Sequence, residues 1–180
     1  MEADREIFVN ITHIKTDLGL MVAGATEKGI CMFEFADYKL IDLELRQLQT
    51  KGPLVEGDNP HFKTLRNQLD EYFGGERREF NIPLDLVGTE FQKTVWLALL
   101  KIPYGCTTNY GKQAELIGKP SSVRAVANAN GKNKISIILP CHRVIGADGS
   151  LTGYGGGIWR KKKLLEFERE NIATSNKEHE

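Results

Sequence analysis

The sequence predicts an α+β protein in which a small N-terminal domain with a short β-sheet and a helix precedes a mostly helical C-terminal domain. Between Ile7 and Phe35, short apolar runs alternate with turn residues, a pattern typical of strands. From Thr89 onward, apolar residues recur at helical spacing between capping residues. The extended stretch 77–89 separates the two patterns. We therefore expect domains over 1–88 and 89–172, with a disordered tail over 173–180.

The N-terminal half carries strand and helix patterns but no recognisable chemistry. After the strands, 42–48 predicts a short helix and 52–60 a loop. A longer helix is expected over 61–73, with Gly74 as its C-cap. Its apolar stripe is typical of a packing face. Cys31 falls inside one predicted strand, so we expect a structural role for it.

Composition narrows the class of protein. A hydrophobic content of 41% and a charged content of 27% are ordinary for a globular chain. The charged N-terminus and the lack of a long apolar run predict no membrane segment, so a reducing, cytoplasmic setting is expected. Three widely spaced cysteines, Cys31, Cys106 and Cys141, argue against a disulfide framework or a zinc site. We expect no metal and no cofactor.

Charge is distributed unevenly along the chain. Residues 91–165 carry 12 Lys and Arg against 2 Asp and Glu, although the whole chain has a formal net charge of zero. A basic segment of this size is typical of a polyanion partner such as nucleic acid. The alternative is a solvated basic face that is balanced by the acidic half.

The C-terminal half opens with three predicted helices. Thr89 and Gln92 have the spacing of a capping box at the start of the first. The other two, 110–117 and 123–129, flank a short break at 118–120 and have the spacing of a helix-turn-helix. In the last helix, small residues would let the backbone approach a DNA groove, and Arg124 would reach bases or phosphates. The residues assigned to this DNA-facing surface are Ser121, Ser122, Arg124, Ala125, Ala127 and Asn128, with Ser121 or Ser122 as the N-cap.

An apolar run over 135–139 predicts a short buried strand that ends at Pro140, since proline cannot donate to a sheet. Cys141 follows at the edge of the core. The neighbouring His142 and Arg143 would favour its thiolate, which is the nucleophilic form. In an extended strand His142 would point away from Cys141, so their pairing needs a turn or a bridging water. The alternative is a buried cysteine that acts as a small apolar residue.

A glycine-rich loop over 149–157, with Tyr154 inside it, follows this stretch. Such a loop lets backbone groups come close to a flat ligand. It lacks the Gly-Lys-Ser/Thr ending of a phosphate-binding P-loop. A closing helix is predicted over 159–170, beginning with the basic run 160–163.

Together these segments closely resemble the O6-alkylguanine-DNA alkyltransferases, also called methylated-DNA-protein-cysteine methyltransferases. The resemblance covers about 91–168 in order and spacing and extends over nearly the whole chain, weakly before Phe73. The matching residues are Phe91-Gln92, Val95-Trp96, Ile102-Pro103-Tyr104-Gly105, Tyr110, Arg124-Ala125-Val126, Asn133, Pro140-Cys141-His142-Arg143-Val144, Gly153-Tyr154, Lys161, Leu164-Leu165 and Glu168.

The resemblance implies a DNA repair activity that is used once per molecule. Cys141 would irreversibly take an alkyl group from O6-alkylguanine, and from O4-alkylthymine, that has been flipped out of double-stranded DNA. His142 would act as a base through a water, and Glu168 would orient His142. Asn133 would hold the turn, and Tyr110 would protonate the leaving guanine and help rotate the nucleotide. The implied pocket residues are Pro140, Val144, Tyr154, Gly155, Gly156 and Lys161.

Further expectations follow from the same resemblance. The protein would work as a monomer, with no membrane and no obligate protein partner. Lys161 has an alternative role in a phosphate-facing basic run with Lys162 and Lys163. The alternative function is a non-catalytic module that binds alkylated bases and recruits other repair factors. Proteins of that kind lack the cysteine, whereas Cys141 is present.

Overall fold

The computed structural model describes residues 6–179, and within them the chain divides into two compact units between Val87 and Gly88. The first unit contains a four-stranded sheet and two helices. The second contains four helices, a pair of very short strands and a single 3-10 turn among its described residues. The α+β class predicted from the sequence is confirmed.

The sheet of the first unit has the strand order β3-β2-β1-β4. Strands β1 to β3 are antiparallel neighbours, whereas β4 pairs in parallel with β1. The strands are β1 (Val9–Thr16), β2 (Gly19–Ala25), β3 (Ile30–Phe35) and β4 (Leu54–Glu56). Two predictions are corrected here. The first strand begins at Val9 instead of Ile7, and the predicted loop 52–60 contains β4, whose pairing with a distant strand leaves no local pattern.

Helices α1 (Ile41–Leu48) and α2 (Pro60–Phe73) follow the predicted patterns to within a residue. Asn59 caps α2 by accepting a hydrogen bond from the His61 backbone N–H at 3.0 Å. Cys31 lies in the core of this unit. Burial, reinforced by the negative charge of Asp85, raises the pKa of the Cys31 thiol to about 12. Cys31 is therefore a poor nucleophile at neutral pH.

The second unit begins with helix α3 (Glu90–Leu99), and the predicted capping box is confirmed at its start. The Thr89 hydroxyl accepts from the Gln92 N–H at 3.1 Å, and the Thr89 N–H donates to the Gln92 side chain at 3.0 Å. Helices α4 (Tyr110–Leu116) and α5 (Val123–Gly131) form the predicted helix-turn-helix. A short parallel pair, β5 (Thr108–Asn109) and β6 (Val144–Ile145), and the long helix α6 (Ile158–Lys177) complete the unit.

Hydrogen bonds between buried polar groups connect the helices of the helix-turn-helix with each other and with α3. Gln113 of α4 and Asn130 of α5 exchange two amide hydrogen bonds, at 3.1 and 2.6 Å. The Trp96 indole N–H of α3 donates to the Ala129 carbonyl at 2.8 Å. Because buried polar groups are costly unless paired, these bonds specify how α3, α4 and α5 pack.

The end of the chain differs from its prediction. Helix α6 runs to Lys177, so residues 173–177 are helical where a disordered tail was expected. None of the described helices is both long enough and apolar enough to cross a membrane.

Candidate active site

The buried stretch before Cys141 is a compact turn, and the predicted strand over 135–139 is wrong. The side chain of Asn133 supplies hydrogen bonds to this backbone that a neighbouring strand would have supplied in a sheet. Its side-chain amide donates to the Leu139 carbonyl at 2.9 Å, and its oxygen accepts from the Ile135 N–H at 2.9 Å. Ile137 has a φ of +71°, which a β-branched residue adopts only when its surroundings impose it. Asn133 thus fixes the backbone that leads into the site.

Cys141, His142 and Arg143 form the 3-10 turn. The Cys141 N–H donates to the Leu139 carbonyl at 2.8 Å, and the Arg143 N–H to the Pro140 carbonyl at 3.0 Å. Cys141 is half-buried, while the side chains of His142 and Arg143 are buried. Since a 3-10 turn has about three residues per turn, Cys141 and His142 do not point to opposite faces as they would in a strand.

Glu168 of α6 is fully buried between two partners from this turn. The Nε2 of His142 lies 2.9 Å from one carboxylate oxygen. Arg143 donates to both oxygens in a fork, from Nε at 2.8 Å and from Nη2 at 3.1 Å. Arg143 also donates to the Ile102 carbonyl at 2.9 Å. The Arg143 guanidinium therefore pairs with Glu168, and its effect on the Cys141 thiolate stays a prediction.

The charges in this cluster favour an ionised Glu168 and a neutral His142. Burial alone would raise the pKa of the Glu168 carboxyl, but the hydrogen bonds from His142 and Arg143 and the positive charge of Arg143 outweigh it and hold that pKa well below its usual range. For His142, burial is the largest influence and lowers its pKa, although Glu168 opposes this. Arg143 is then the permanent cation that balances Glu168.

The neutral state of His142 fixes the roles of its ring nitrogens. A carboxylate only accepts, so Nε2 carries the proton that is donated to Glu168. Nδ1 is then an acceptor, and it is buried without a hydrogen-bond partner among the described residues. A buried, unpaired acceptor next to Cys141 in the chain is suited to take a proton from a thiol or from an intervening water.

The lowered pKa of His142 predicts a loss of stability on acidification. Because burial depresses the pKa in the folded state, the unfolded chain takes up this proton first as the pH falls below its ordinary value near 6.5. We expect the free energy of unfolding to decrease from pH 7.5 to pH 5.5, by at most about 1.4 kcal/mol per pH unit from this one group. Urea titrations at pH 7.5, 6.5 and 5.5 measure this decrease.

The matched variant is His142→Gln, which removes the titrating group. Its stability should fall less steeply over this pH range than that of the native protein. The Glu168 carboxyl titrates only at much lower pH, so it does not mask the comparison. An equally steep fall in His142→Gln would show that His142 is not the group responsible.

Lys161 is completely buried, whereas Lys162 and Lys163 are exposed. Its Nζ donates to the Thr152 carbonyl at 2.8 Å. Burial lowers the pKa of Lys161, and negative charge on Cys141 opposes that shift. The alternative of a phosphate-facing run is therefore wrong for Lys161, which extends into the unit on the side of Cys141.

Tyr110 is the first residue of α4, and Asn109 caps the helix by accepting from the Lys112 N–H at 2.9 Å. The half-buried Tyr110 donates from its hydroxyl to the Thr152 carbonyl at 3.2 Å, and Thr152 Oγ1 lies 3.4 Å from the same hydroxyl. Tyr110 and Lys161 therefore converge on one carbonyl group. The structure brings these two predicted site residues together from different helices.

The glycine-rich loop leads into α6, and its backbone groups are hydrogen-bonded to the start of that helix. Gly155 is exposed and Gly156 is buried, and the Gly156 carbonyl accepts from Arg160 at 3.1 Å. Tyr154 is half-buried, and Gly157 donates from its N–H to the Tyr154 carbonyl at 2.9 Å. Of the remaining predicted pocket residues, Pro140 and Val144 are both buried, flanking the 3-10 turn in sequence.

The outer face of α5 carries most of the residues predicted to face DNA. Ser121, Arg124, Ala125 and Asn128 are exposed, and Ser122 and Ala127 are half-buried. Ser122 occupies the N-cap position but makes no side-chain hydrogen bond there, so the predicted serine cap is corrected. The opposite face, with Val126, Ala129 and Asn130, is buried. The small and polar residues thus form an accessible helix surface.

One interaction and one residue of the site were missed by sequence reasoning. Arg143 was adjacent to the cysteine, but nothing in the local pattern linked it to Glu168, which lies 25 residues away. Thr152 carried no signal, because its contribution is a backbone carbonyl that any residue has. Among the described residues, no group of three or more His, Cys, Asp or Glu side chains is arranged to hold a metal ion.

Two family profiles match this chain and together span most of it. The profile described as the DNA binding domain of 6-O-methylguanine DNA methyltransferase matches residues 90–170. The profile described as the ribonuclease-like domain of 6-O-methylguanine DNA methyltransferase matches residues 11–86. Each compact unit thus corresponds to one profile.

Individual proteins show the same similarity. A methylated-DNA–protein-cysteine methyltransferase of Mycobacterium leprae is 58% identical over 118 residues, covering 66% of this chain and 72% of the relative. One from Methanosarcina barkeri is 40% identical over 159 residues, covering 88% and 96%. Among solved structures, Mycobacterium tuberculosis OGT in complex with DNA matches with a TM-score of 0.78 and 41% identity, covering 91% of this chain and 94% of that one.

Proposed function

The chain belongs to the 6-O-methylguanine DNA methyltransferase family, and from this premise we propose that it repairs DNA by transferring an alkyl group from O6-alkylguanine to Cys141. The observation that carries the proposal is the position of the half-buried Cys141 in the same 3-10 turn as His142 and Arg143, which form a buried cluster with Glu168. This cluster supplies a base, His142, whose tautomer is set by Glu168 and whose positive charge, once formed, lies next to the Glu168 carboxylate. Nucleophilic transfer requires such a base.

The transfer is a displacement in which one bond forms as another breaks. A water between Cys141 and His142 relays the thiol proton to Nδ1, and the resulting thiolate attacks the alkyl carbon. The sulfur–carbon bond forms while the carbon–O6 bond breaks, and the electron pair leaves with the guanine. Glu168 stabilises the imidazolium of His142, and Arg143 keeps Glu168 ionised and in place.

The leaving guanine has to gain a proton to become neutral. We assign this donation to the hydroxyl of Tyr110, which then recovers a proton from solvent. Backbone groups of Cys141, Val144, Gly155 and Gly156 would read the guanine edge, with Tyr154 as a wall of the pocket. Pro140 would shape the pocket next to the cysteine, and Lys161 would support it as a buried cation. The same pocket would accept O4-alkylthymine.

The helix-turn-helix would present the damaged base to the pocket. The exposed face of α5 suits a DNA groove because its small residues permit close approach. Arg124 would fill the gap left in the duplex by the flipped nucleotide, and unstacking costs a few kcal/mol. Basic side chains of the second unit would neutralise phosphates, so DNA binding should weaken as salt rises. The face is completed by Ser121, Ser122, Ala125, Ala127 and Asn128.

The thioether that forms on Cys141 has no route back to a thiolate, so each molecule would act once. The protein would work as a monomer without an obligate protein partner and without a cofactor. A reducing, cytoplasmic setting would keep the thiol available. The first unit, with its closed core and unreactive Cys31, would serve as a structural domain.

A stoichiometry experiment tests the proposal. The protein is incubated with an excess of duplex containing O6-methylguanine, and the repaired guanine is counted over time. We expect the count to stop at one guanine per protein molecule because the acceptor is consumed. Continued turnover would contradict a single-use acceptor, and tight binding without any repair would favour the non-catalytic recruiting module.

A further inference from the structure

Thr152 lies where two proposed site residues meet, although no role was assigned to it from the sequence. Its carbonyl accepts from the Tyr110 hydroxyl of α4 at 3.2 Å and from the Lys161 ammonium of α6 at 2.8 Å. Its own hydroxyl lies 3.4 Å from the Tyr110 hydroxyl, and either atom could be the donor. One residue of the loop therefore contacts the Tyr110 phenol through two different oxygen atoms.

The Tyr110 hydroxyl has a single proton, which limits the number of hydrogen bonds it can donate. A phenol has one O–H and can donate it to one strong acceptor at a time. In this structure that acceptor is the Thr152 carbonyl. If Tyr110 donates to a guanine ring, as the proposed function requires, it has to give up this bond. The Thr152 carbonyl still accepts from Lys161 after the exchange, so no acceptor is left without a partner.

The hydroxyl of Thr152 is placed to stay with Tyr110 through this exchange. At 3.4 Å the contact between the two hydroxyls is long for an O–H···O bond, which agrees with Tyr110 donating to the carbonyl here. Once Tyr110 donates its O–H to a nucleobase, the Tyr110 oxygen can accept a hydrogen bond from the Thr152 hydroxyl. A phenol that accepts one hydrogen bond is a stronger donor in another.

We propose that Thr152 is a positioning residue for the transfer reaction, whose hydroxyl holds and polarises Tyr110 while Tyr110 donates to the leaving guanine. This inference rests on the proposed function of Tyr110. It assigns no contact between Thr152 and the substrate, and the hydroxyl acts only through Tyr110.

The test compares Thr152→Val, which keeps the branched shape but loses the hydroxyl, with Thr152→Ser, which keeps the hydroxyl. The readout is the single-turnover rate of methyl transfer from an O6-methylguanine duplex. Because one neutral hydrogen bond is at stake, we expect Thr152→Val to be slower by about 3- to 10-fold and Thr152→Ser to recover most of that rate. Thr152 is exposed, so neither change should alter the free energy of unfolding.

Combining these changes with Tyr110→Phe separates positioning from a general effect on the loop. Without the phenol hydroxyl, Thr152→Val should cause no further loss of rate. A native rate in Thr152→Val, or an equal loss in the Tyr110→Phe background, would overturn the inference. A native rate in Tyr110→Phe alone would remove its premise. Absence of transfer by the native protein would instead refute the proposed function itself, so the two failures are distinguishable.

Discussion

Replacing Glu168 by alanine lowers the free energy of unfolding by about 3–5 kcal/mol, because it leaves a buried cation without its partner. Glu168 is fully buried and accepts one hydrogen bond from His142 and two from Arg143, and the Gly105 N–H donates a longer one at 3.5 Å. In the variant, the Arg143 guanidinium loses both carboxylate bonds and keeps the Ile102 carbonyl and the face of the Tyr104 ring. Chemical denaturation of the full chain at pH 7.5 measures the change.

The matched control is Glu166→Ala on the same helix. Glu166 is half-buried and pairs with Lys162 at 3.8 Å, a surface ion pair that contributes about 0–1 kcal/mol. If Glu168→Ala were as stable as Glu166→Ala, the cluster would not carry the buried charge described above. Arg143→Met in the Glu168→Ala background should recover part of the loss, since it removes the unpaired cation.

The same contacts link stability to chemistry in the second unit. Helix α6 supplies Glu168, and the 3-10 turn supplies His142 and Arg143, whose side chains donate to it. The orientation of the His142 ring is therefore set by the interaction that joins helix and turn. A variant that weakens the interaction of Glu168 with the turn is expected to lose both stability and the rate of alkyl transfer. A change at Thr152 is expected to affect only the rate of transfer.

Local signals in the sequence were sufficient for the elements whose ends are capped. Thr89 and Gln92 predict the start of α3, because a capping box involves only two residues that are three positions apart. The helix-turn-helix was equally accessible, since the break at 118–120 between its two helices is a local feature. The family resemblance then supplied the order of the site residues, including Asn133 and Glu168.

Features that depend on contacts between residues far apart in the sequence could not be predicted from local patterns. An apolar run such as 135–139 suits either a strand or a buried turn, and the side chain of Asn133 decides in favour of the turn. Strand β4 exists only because it pairs with β1. Lys161 belongs to a basic run by sequence, yet the start of α6 turns it inward while its two neighbours stay in solvent.

The side chain of Cys141 is the centre of the proposed reaction, and its replacement has the largest expected effect on activity. Cys141→Ala removes the atom that would form the new bond, so transfer should fall to the uncatalysed level while the buried cluster keeps its contacts. Cys106→Ala is the matched control, because Cys106 is exposed and lies outside the cluster. Cys31, buried and with a raised pKa, should also remain unmodified.

Intact and peptide mass spectrometry after incubation with an O6-methylguanine duplex tests this central claim most directly. The native protein and Cys106→Ala should each gain the mass of one methylene group, located on the peptide that contains Cys141. Cys141→Ala should gain nothing and leave the methylated guanine in the duplex. A native protein whose mass stays unchanged, or whose added mass lies on Cys31 or Cys106, would contradict the proposal that Cys141 is the alkyl acceptor.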